Sequence, residues 1–486
     1  MRPFTIRQFM EACHGIWHGP QELLDRNIQS VVVDSRLVTK DSVFVATVGE
    51  RVDGHRFIPD IYGNGALCAV SRQKLSDPAG PYLLVDDTLQ ALKDAAEAYR
   101  RTLTLPVIGI TGSVGKTSTK EMIASVLGQK YQVLKTPGNF NNEIGVPLTL
   151  FMIDTCHEAA VLEMGMNHFG EMHRLSRMVR PTHCVFTNIG VAHLEHLGSR
   201  DGILKAKMEM LDYAADAAPI FINGDDDRLI IMKDRAVTFG RNPSDQVWAD
   251  QVENLGLQGV RCRIHAKGQD MQVTIPLPGT HMVYNACAGV CAGLSLGLSM
   301  EEIRQGIETL KPLGGRSNIL HTSRYTLVDD CYNANPVSMC AMLDVLDYAL
   351  TRKVAILGDM GELGEQSEAL HASVGEHLKE LHIHLLITIG TRSRAIHDAA
   401  RKAAPSMQCI HYADLESFLT EAGRILEEGD KADLEIRRLK QYLAHVNQGE
   451  MLAAGAVGAG AVGDFSGMDG GAVSVGQIEV AEAVEF

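Results

Sequence analysis

The sequence predicts an α/β protein of three domains. A central domain built on a parallel sheet with a phosphate-binding loop is preceded by a small α/β domain and followed by a Rossmann-like one. Three observations carry this reading. The chain has 486 residues, and at roughly 150 residues per domain that is room for about three buried cores. Short apolar runs rich in β-branched residues alternate with helix-length stretches, the pattern of parallel strands covered on both faces. Between one such strand and one such helix lies the glycine-rich turn Thr111-Gly-Ser-Val-Gly-Lys-Thr-Ser118.

Composition excludes several classes. Apolar residues make up 45% and charged residues 22% of the chain, ordinary values that argue against a disordered or fibrous protein. The formal charge of −15 is the wrong sign for gripping nucleic acid through an overall field. No run of ~18 strongly apolar residues occurs, so no membrane insertion is expected. The ten cysteines form no CxxC pair, which argues against zinc ribbons and disulfide scaffolds. Met1-Arg-Pro-Phe-Thr-Ile-Arg7 lacks the apolar core of a signal peptide, and the expectation is a soluble, monomeric cytoplasmic protein.

The elements follow in order. In residues 1–105, short β-like runs such as Ser30–Asp34 and Val43–Thr47 precede a helical stretch, Thr88 to Arg101. The central domain, 106–314, opens after Pro106 with the buried-strand run Val107–Thr111, a loop through Gly115 and a helix from Lys116 to Gly128. On that helix Met122, Ile123, Val126 and Leu127 share a face. Further strands are expected at Ala159–Leu162, Cys184–Asn188 and Pro219–Asn223. Lys311-Pro-Leu-Gly-Gly315 is a hinge signal, and the alternation resumes over 315–448. There the strands are Tyr325–Val328, Val354–Leu357 and Leu385–Gly390, with helices from about Pro336 to Leu350 and on to about Leu381. From Gly449 to Phe486 there are nine Gly, eight Ala and no Lys or Arg, which reads as a loosely attached, dispensable acidic tail.

The turn at 111–118 carries the strongest chemistry. Backbone N–H groups of Gly112, Ser113, Val114 and Gly115, with the first turn of the helix behind them, can surround phosphate oxygens. Lys116 supplies a positive charge, and the hydroxyls of Thr117 and Ser118 are placed for Mg²⁺ and phosphate. Ile110 stands where the longer P-loop pattern has glycine, so this is the shorter T-G-x-x-G-K-T form. Taken alone, Glu163 at a strand end fits either a metal ligand or a strand-edge carboxylate. His193 after another strand fits a structural histidine or a ligand, and Lys205 and Lys207 fit a solvated helix face.

Five blocks then carry a resemblance: Asp34-Ser-Arg36 with Asp53-Gly-His55; Thr111–Glu121 continuing into Gly138-Asn-Phe-Asn-Asn-Glu-Ile-Gly-Val-Pro-Leu148; Leu162-Glu-Met-Gly-Met-Asn167 through Ala192-His-Leu-Glu195; Asp329-Asp-Cys-Tyr-Asn-Ala-Asn-Pro336; and Gly358-Asp-Met-Gly-Glu-Leu-Gly364. On these blocks the chain resembles the Mur ligases, the ATP-dependent amide ligases of peptidoglycan assembly, from near its N-terminus to about Asp430. The resemblance implies a cytoplasmic step of cell-wall synthesis, and through it of cell shape and division. D-alanyl-D-alanine would be joined to UDP-N-acetylmuramoyl-tripeptide through an acyl phosphate, with ATP and two Mg²⁺ ions.

It also implies roles. Lys116 would neutralise phosphate charge; Thr117 and Glu163 would hold one metal and His193 the second. Lys207 matches the lysine that the family carbamylates into an anionic metal ligand, while Lys205 would face elsewhere. Asn285 would lie on the adenine side, and Arg316 and Asp330 would reach the γ-phosphate and ribose from the third domain. Ser35 and Arg36 would hold the uridine diphosphate end of the substrate, and Asn139 and Asn142 would orient it near the reaction centre. The pattern departs after Gly429-Asp430, where the family continues with a strand and a Lys-Gly-Ser-Arg-like loop; the helix-like stretch Asp433 to His445 is the expected substitute cover. Two other readings therefore stand beside the first: another Mur or folylpolyglutamate-type ligase, or a catalytically weakened nucleotide-binding protein.

Overall fold

The structure, a computed structural model, describes residues 1–49, 52–191, 194–311, 318–321, 325–331, 333–350, 352–425 and 455–459. Each of the three domains has its own sheet. In the first, α1 (Ile6–Ala12), β1 (Ile16–His18), β2 (Ser30–Val32), β3 (Ser42–Val45), α2 (Ile58–Ile61), β4 (Cys68–Ser71), β5 (Tyr82–Leu84) and α3 (Thr88–Arg101) follow in order. The sheet order is β1-β5-β4-β3-β2, with only β1 antiparallel to its neighbour. A capping box between Thr5 and Gln8 starts α1, and Asp87 caps α3 by accepting from the Gln90 amide.

The central domain runs β6 (Val107–Thr111), α4 (Lys116–Leu127), β7 (Val133–Lys135), α5 (Gly145–Phe151), β8 (Ala159–Glu163), α6 (Glu171–Val179) and β9 (His183–Phe186). It continues through α7 (Leu194–Leu197), α8 (Arg200–Met208), β10 (Ile220–Asn223), β11 (Val237–Gly240), β12 (Val247–Asn254), β13 (Val260–Ala266), β14 (Gln269–Ile275), α9 (Met282–Ser295) and α10 (Met300–Glu308). The nine-stranded order is β14-β13-β12-β11-β10-β9-β6-β8-β7. The strands expected at 107–111, 159–162, 184–188 and 219–223 all form within a residue or two of those bounds. The antiparallel β12–β14 meander was not among them. Its alternation, buried at Val260, Cys262, Ile264 and Ala266 and more exposed between, is that of a sheet with one face packed on the core.

The boundary at Pro106 separates two sheets, yet one buried cluster spans it. Phe4, Phe9 and Tyr99 from the first domain share one buried cluster with Val107, Phe151, Leu162 and Met172 from the second. The Phe4 and Tyr99 rings meet edge to face at 5.4 Å. Arg100 is buried at this seam, donating to the carbonyls of Val179, Leu103 and Arg180. Burial lowers its pKa to about 10, with the charge of Arg180 adding to the effect.

The third domain comprises β15 (Asn318–His321), β16 (Tyr325–Asp329), α11 (Pro336–Asp347), β17 (Lys353–Leu357), α12 (Ser367–His377), β18 (Leu385–Ile389), α13 (Arg394–Ala403), β19 (Gln408–Tyr412), α14 (Leu415–Ile425) and β20 (Gly455–Ala459). Its order is β15-β16-β20-β17-β18-β19. Here the expectation of a detached tail from residue 449 is corrected. Gly455–Ala459 lies between β16 and β17, antiparallel to both, with Val457 opposite Leu327 on one side and Val354 on the other. The inner edges of β16 and β17 need main-chain partners, and ladder hydrogen bonds do not require large side chains, so a Gly/Ala run can serve. The stretch Asp433 to His445 and the rest of the tail lie outside the described residues.

Candidate active site

The site forms where β6, β8 and β9 end together and α4 begins. Two glycines make the turn possible. A Cβ on Gly112 would lie 1.9 Å from Thr187 Oγ1, and Gly115, which caps α4, has φ +80°. The turn is held by its neighbour strand: Ser113 N donates to Asn188 O (3.0 Å), Val114 N to Asn188 Oδ1 (2.9 Å), and Thr187 Oγ1 to Val114 O (2.7 Å). The amides of Ser113 and Val114 are thus engaged, and the phosphate-facing donors are those of the loop end and of the first turn of α4. Lys116 Nζ folds back to donate to Gly112 O at 2.9 Å.

Glu163, at the end of β8, is 1% exposed and held from three sides. Thr117 Oγ1 donates to its Oε2 at 2.7 Å, Asn141 Nδ2 to its Oε1 at 2.8 Å, and its own amide to Thr136 Oγ1 at 2.9 Å. A carboxylate beside a hydroxyl at the mouth of a phosphate loop is a hard oxygen donor set, which fits Mg²⁺. Among the described residues no cluster of three His, Cys, Asp or Glu is close enough to hold a metal by itself, so phosphate or other donors must complete the shell. Asn141 was not among the residues singled out from sequence, although it lies in the Asn139–Asn142 run that was.

Lys207 lies in α8 and is 1% exposed. Burial first, and the charge of Lys116 second, push its pKa well below the usual lysine value. Lys205, two residues earlier, is exposed and places its Nζ 6.0 Å over the Phe169 ring. Asn285, on the first turn of α9, accepts from Thr119 Oγ1 at 3.0 Å and is buried beside α4. One turn away, Gly279, His281 and Tyr284 line a cavity of about 530 Å³ whose other wall is Pro336, Val337 and Asp344 of α11. Asp330 follows β16 and is half-buried.

The remaining residues divide. Arg36 grips Asp34 with Nε at 3.0 Å and Nη2 at 2.7 Å, and Ser35 begins a short 3₁₀ turn capped by Asp34, both in the first domain. Asn142 Oδ1 accepts from the amides of Ile144 and Gly145, so this oxygen is committed to opening α5. Asn139 sits in the same loop, its carbonyl accepting from Asn141 N. His193 and Arg316 lie outside the described residues.

A parallel sheet that delivers a glycine loop, a lysine, a hydroxyl and a buried carboxylate to one strand-end crevice defines a P-loop nucleotide-binding protein. Residues 110–293 match the model of the Mur ligase middle domain, and residues 315–432 that of the Mur ligase, glutamate ligase domain. The chain belongs to the Mur ligase family. The UDP-N-acetylmuramoyl-tripeptide–D-alanyl-D-alanine ligase of Bacillus subtilis (strain 168) is 34% identical over 436 residues, covering 88% of this chain and 94% of its own. A crystal structure of MurF from Acinetobacter baumannii is similar at TM-score 0.77 and 33% identity, covering 88% of this chain and 92% of the other. A MurF ligase from Thermotoga maritima in complex with ADP is similar at TM-score 0.69 and 28% identity, covering 79% and 94%.

Proposed function

We propose that this protein is an ATP-dependent amide ligase that joins D-alanyl-D-alanine to UDP-N-acetylmuramoyl-tripeptide in the cytoplasm, a step of peptidoglycan synthesis. The observation that carries the reading is likeness over 88% of the chain to ligases of that name. In this reaction a carboxylate oxygen of the tripeptide attacks the γ-phosphorus of ATP and ADP leaves. The dipeptide amine then attacks the acyl carbon, phosphate departs, and the nitrogen gives up a proton. Both substrates are anionic, so the site must suppress their repulsion.

The chain's own residues suit that task. Lys116 brings a cation to the phosphate loop, and Asn285 with the adjoining cavity offers a place for the base. Thr117 and Glu163 would hold Mg²⁺, which when bound supplies positive charge at the transferring phosphate; His193 and a carbamylated Lys207 would hold a second ion. Support for the carbamate is chemical: carbon dioxide adds only to a neutral amine, and the surroundings of Lys207 disfavour the ammonium. The test is phosphate release with UDP-tripeptide and D-alanyl-D-alanine supplied singly and together. Release that requires both is expected; release with neither or with only one sinks the assignment. One second reading, a protein that binds nucleotide but has lost turnover, rests on the departure after Gly429-Asp430, where the family's strand and Lys-Gly-Ser-Arg-like loop are replaced. That reading predicts ADP binding with no dipeptide-dependent release.

A further inference from the structure

We propose that Lys120 and Thr136 are positioning residues that set Glu163 and the 137–142 loop for metal–nucleotide binding; the inference rests on the nucleotide site described above. Lys120 follows Thr117 on α4 by three residues, so the two side chains leave the helix on one face. It is 1% exposed, where a lysine is seldom found. Its Nζ donates to Thr136 O at 2.8 Å and lies 3.2 Å from Glu121 Oε1, while the other oxygen of Glu121 bonds to Lys135. Burying such charges is a weak source of stability, because apolar side chains of similar volume do as well or better. What the ammonium does supply is a fixed carbonyl.

That carbonyl belongs to a hub. Thr136 N donates to Val161 O at 3.1 Å, its O accepts from Lys120, and its Oγ1 accepts from Glu163 N at 2.9 Å. Thr136 therefore extends the β7–β8 pairing by one residue and ties it to the carboxylate's own backbone. Immediately after it, Pro137 starts the loop that returns Asn141 to Glu163 Oε1 at 2.8 Å. Glu163 is thus fixed at its backbone by Thr136 and at one oxygen by a loop rooted at Thr136, and Lys120 pins the root. Displacement of that root moves two of the three restraints on Glu163 at once.

The experiment titrates the full chain with Mn²⁺ in the presence of ADP, following free Mn²⁺ by electron paramagnetic resonance. ADP binding in EDTA and thermal unfolding are measured alongside. Thr136→Val and Lys120→Met are expected to weaken Mn²⁺ binding about 10-fold or more, the usual effect of removing a group that orients a metal ligand. ADP binding in EDTA should change little, and Thr136→Ser, which keeps the hydroxyl, should stay within about 2-fold of the parent. Unchanged Mn²⁺ affinity in Thr136→Val or Lys120→Met overturns the proposal, as does equal loss in Thr136→Ser. If Thr136→Val does not fold, Lys120→Met with Thr136→Ser decides. Failure of the parent protein to bind Mn²⁺ with ADP would instead refute the nucleotide site itself.

Discussion

Lys116 and Lys207 lie close enough that the charge of the first helps drive the second toward its neutral amine, on top of the effect of burial. As a carbamate, Lys207 would become an anionic metal ligand, the role proposed for it above. Lys207→Ala should therefore abolish ligase turnover, and a short carboxylate such as acetate should restore part of it by entering the vacated space. Lys205→Ala, on the exposed face of α8, should leave turnover within about 2-fold. Equal activity in the two alanine variants would exclude the carbamate.

Lys116→Ala removes the loop's cation without touching a core. Turnover should fall ~100-fold or more, while the melting temperature stays near that of the parent. Steady-state phosphate release and a thermal scan on the same sample check both halves.

Glu143 links three elements, bonding to Lys93 of α3 at 2.8 Å and to Arg174 of α6 at 2.6 and 3.0 Å. Burial alone would raise its pKa, but the hydrogen bonds and charges of Arg174 and Lys93 outweigh it and hold the carboxyl below the ordinary value. A folded pKa lowered in this way adds stability that is fully present above the unfolded pKa, about 4.3, and is lost as pH falls through the folded value. Glu143→Gln should accordingly cost about 1–2 kcal/mol near pH 7, and the gap to the parent should close below about pH 4. A gap that stays constant in denaturant melts from pH 7 to pH 3 would show that the charge contributes nothing.

A chain stopped after Gln448 loses β20 and leaves β16 and β17 without the strand between them. Its third domain should melt earlier and aggregate on heating through the two bared edges. A chain that retains residues through Gly463 should behave as the parent does. Limited proteolysis of the intact protein is expected to spare Gly455–Ala459.

The phosphate loop was legible because everything it needs is contiguous: glycines for the turn, a lysine, a hydroxyl, a strand before and a helix after. Lys207 was separable from Lys205 only by resemblance, and the structure then supplied the physical distinction, burial against exposure. Thr136 and Asn141 were not legible in their roles. Neither residue type is unusual in a loop, and what distinguishes them is a contact with Glu163, which no local pattern encodes. The β12–β14 meander went unread for a different reason: its alternation includes Arg261, Arg263 and His265, which lower its apolar content below that of the buried parallel strands. The insertion of β20 was hidden because composition reports what side chains offer, whereas this strand is held by its main chain.

The rings of Phe4, Tyr99 and Phe151 and the guanidinium of Arg100 weld the first two domains across residue 105. The third domain has separate cores, touched from the central body by Leu257. The first two domains thus share one packed anvil, whereas the third meets it with cores of its own. On the proposed function, a UDP-tripeptide held by the first domain would keep its aim at the phosphate loop through that shared packing.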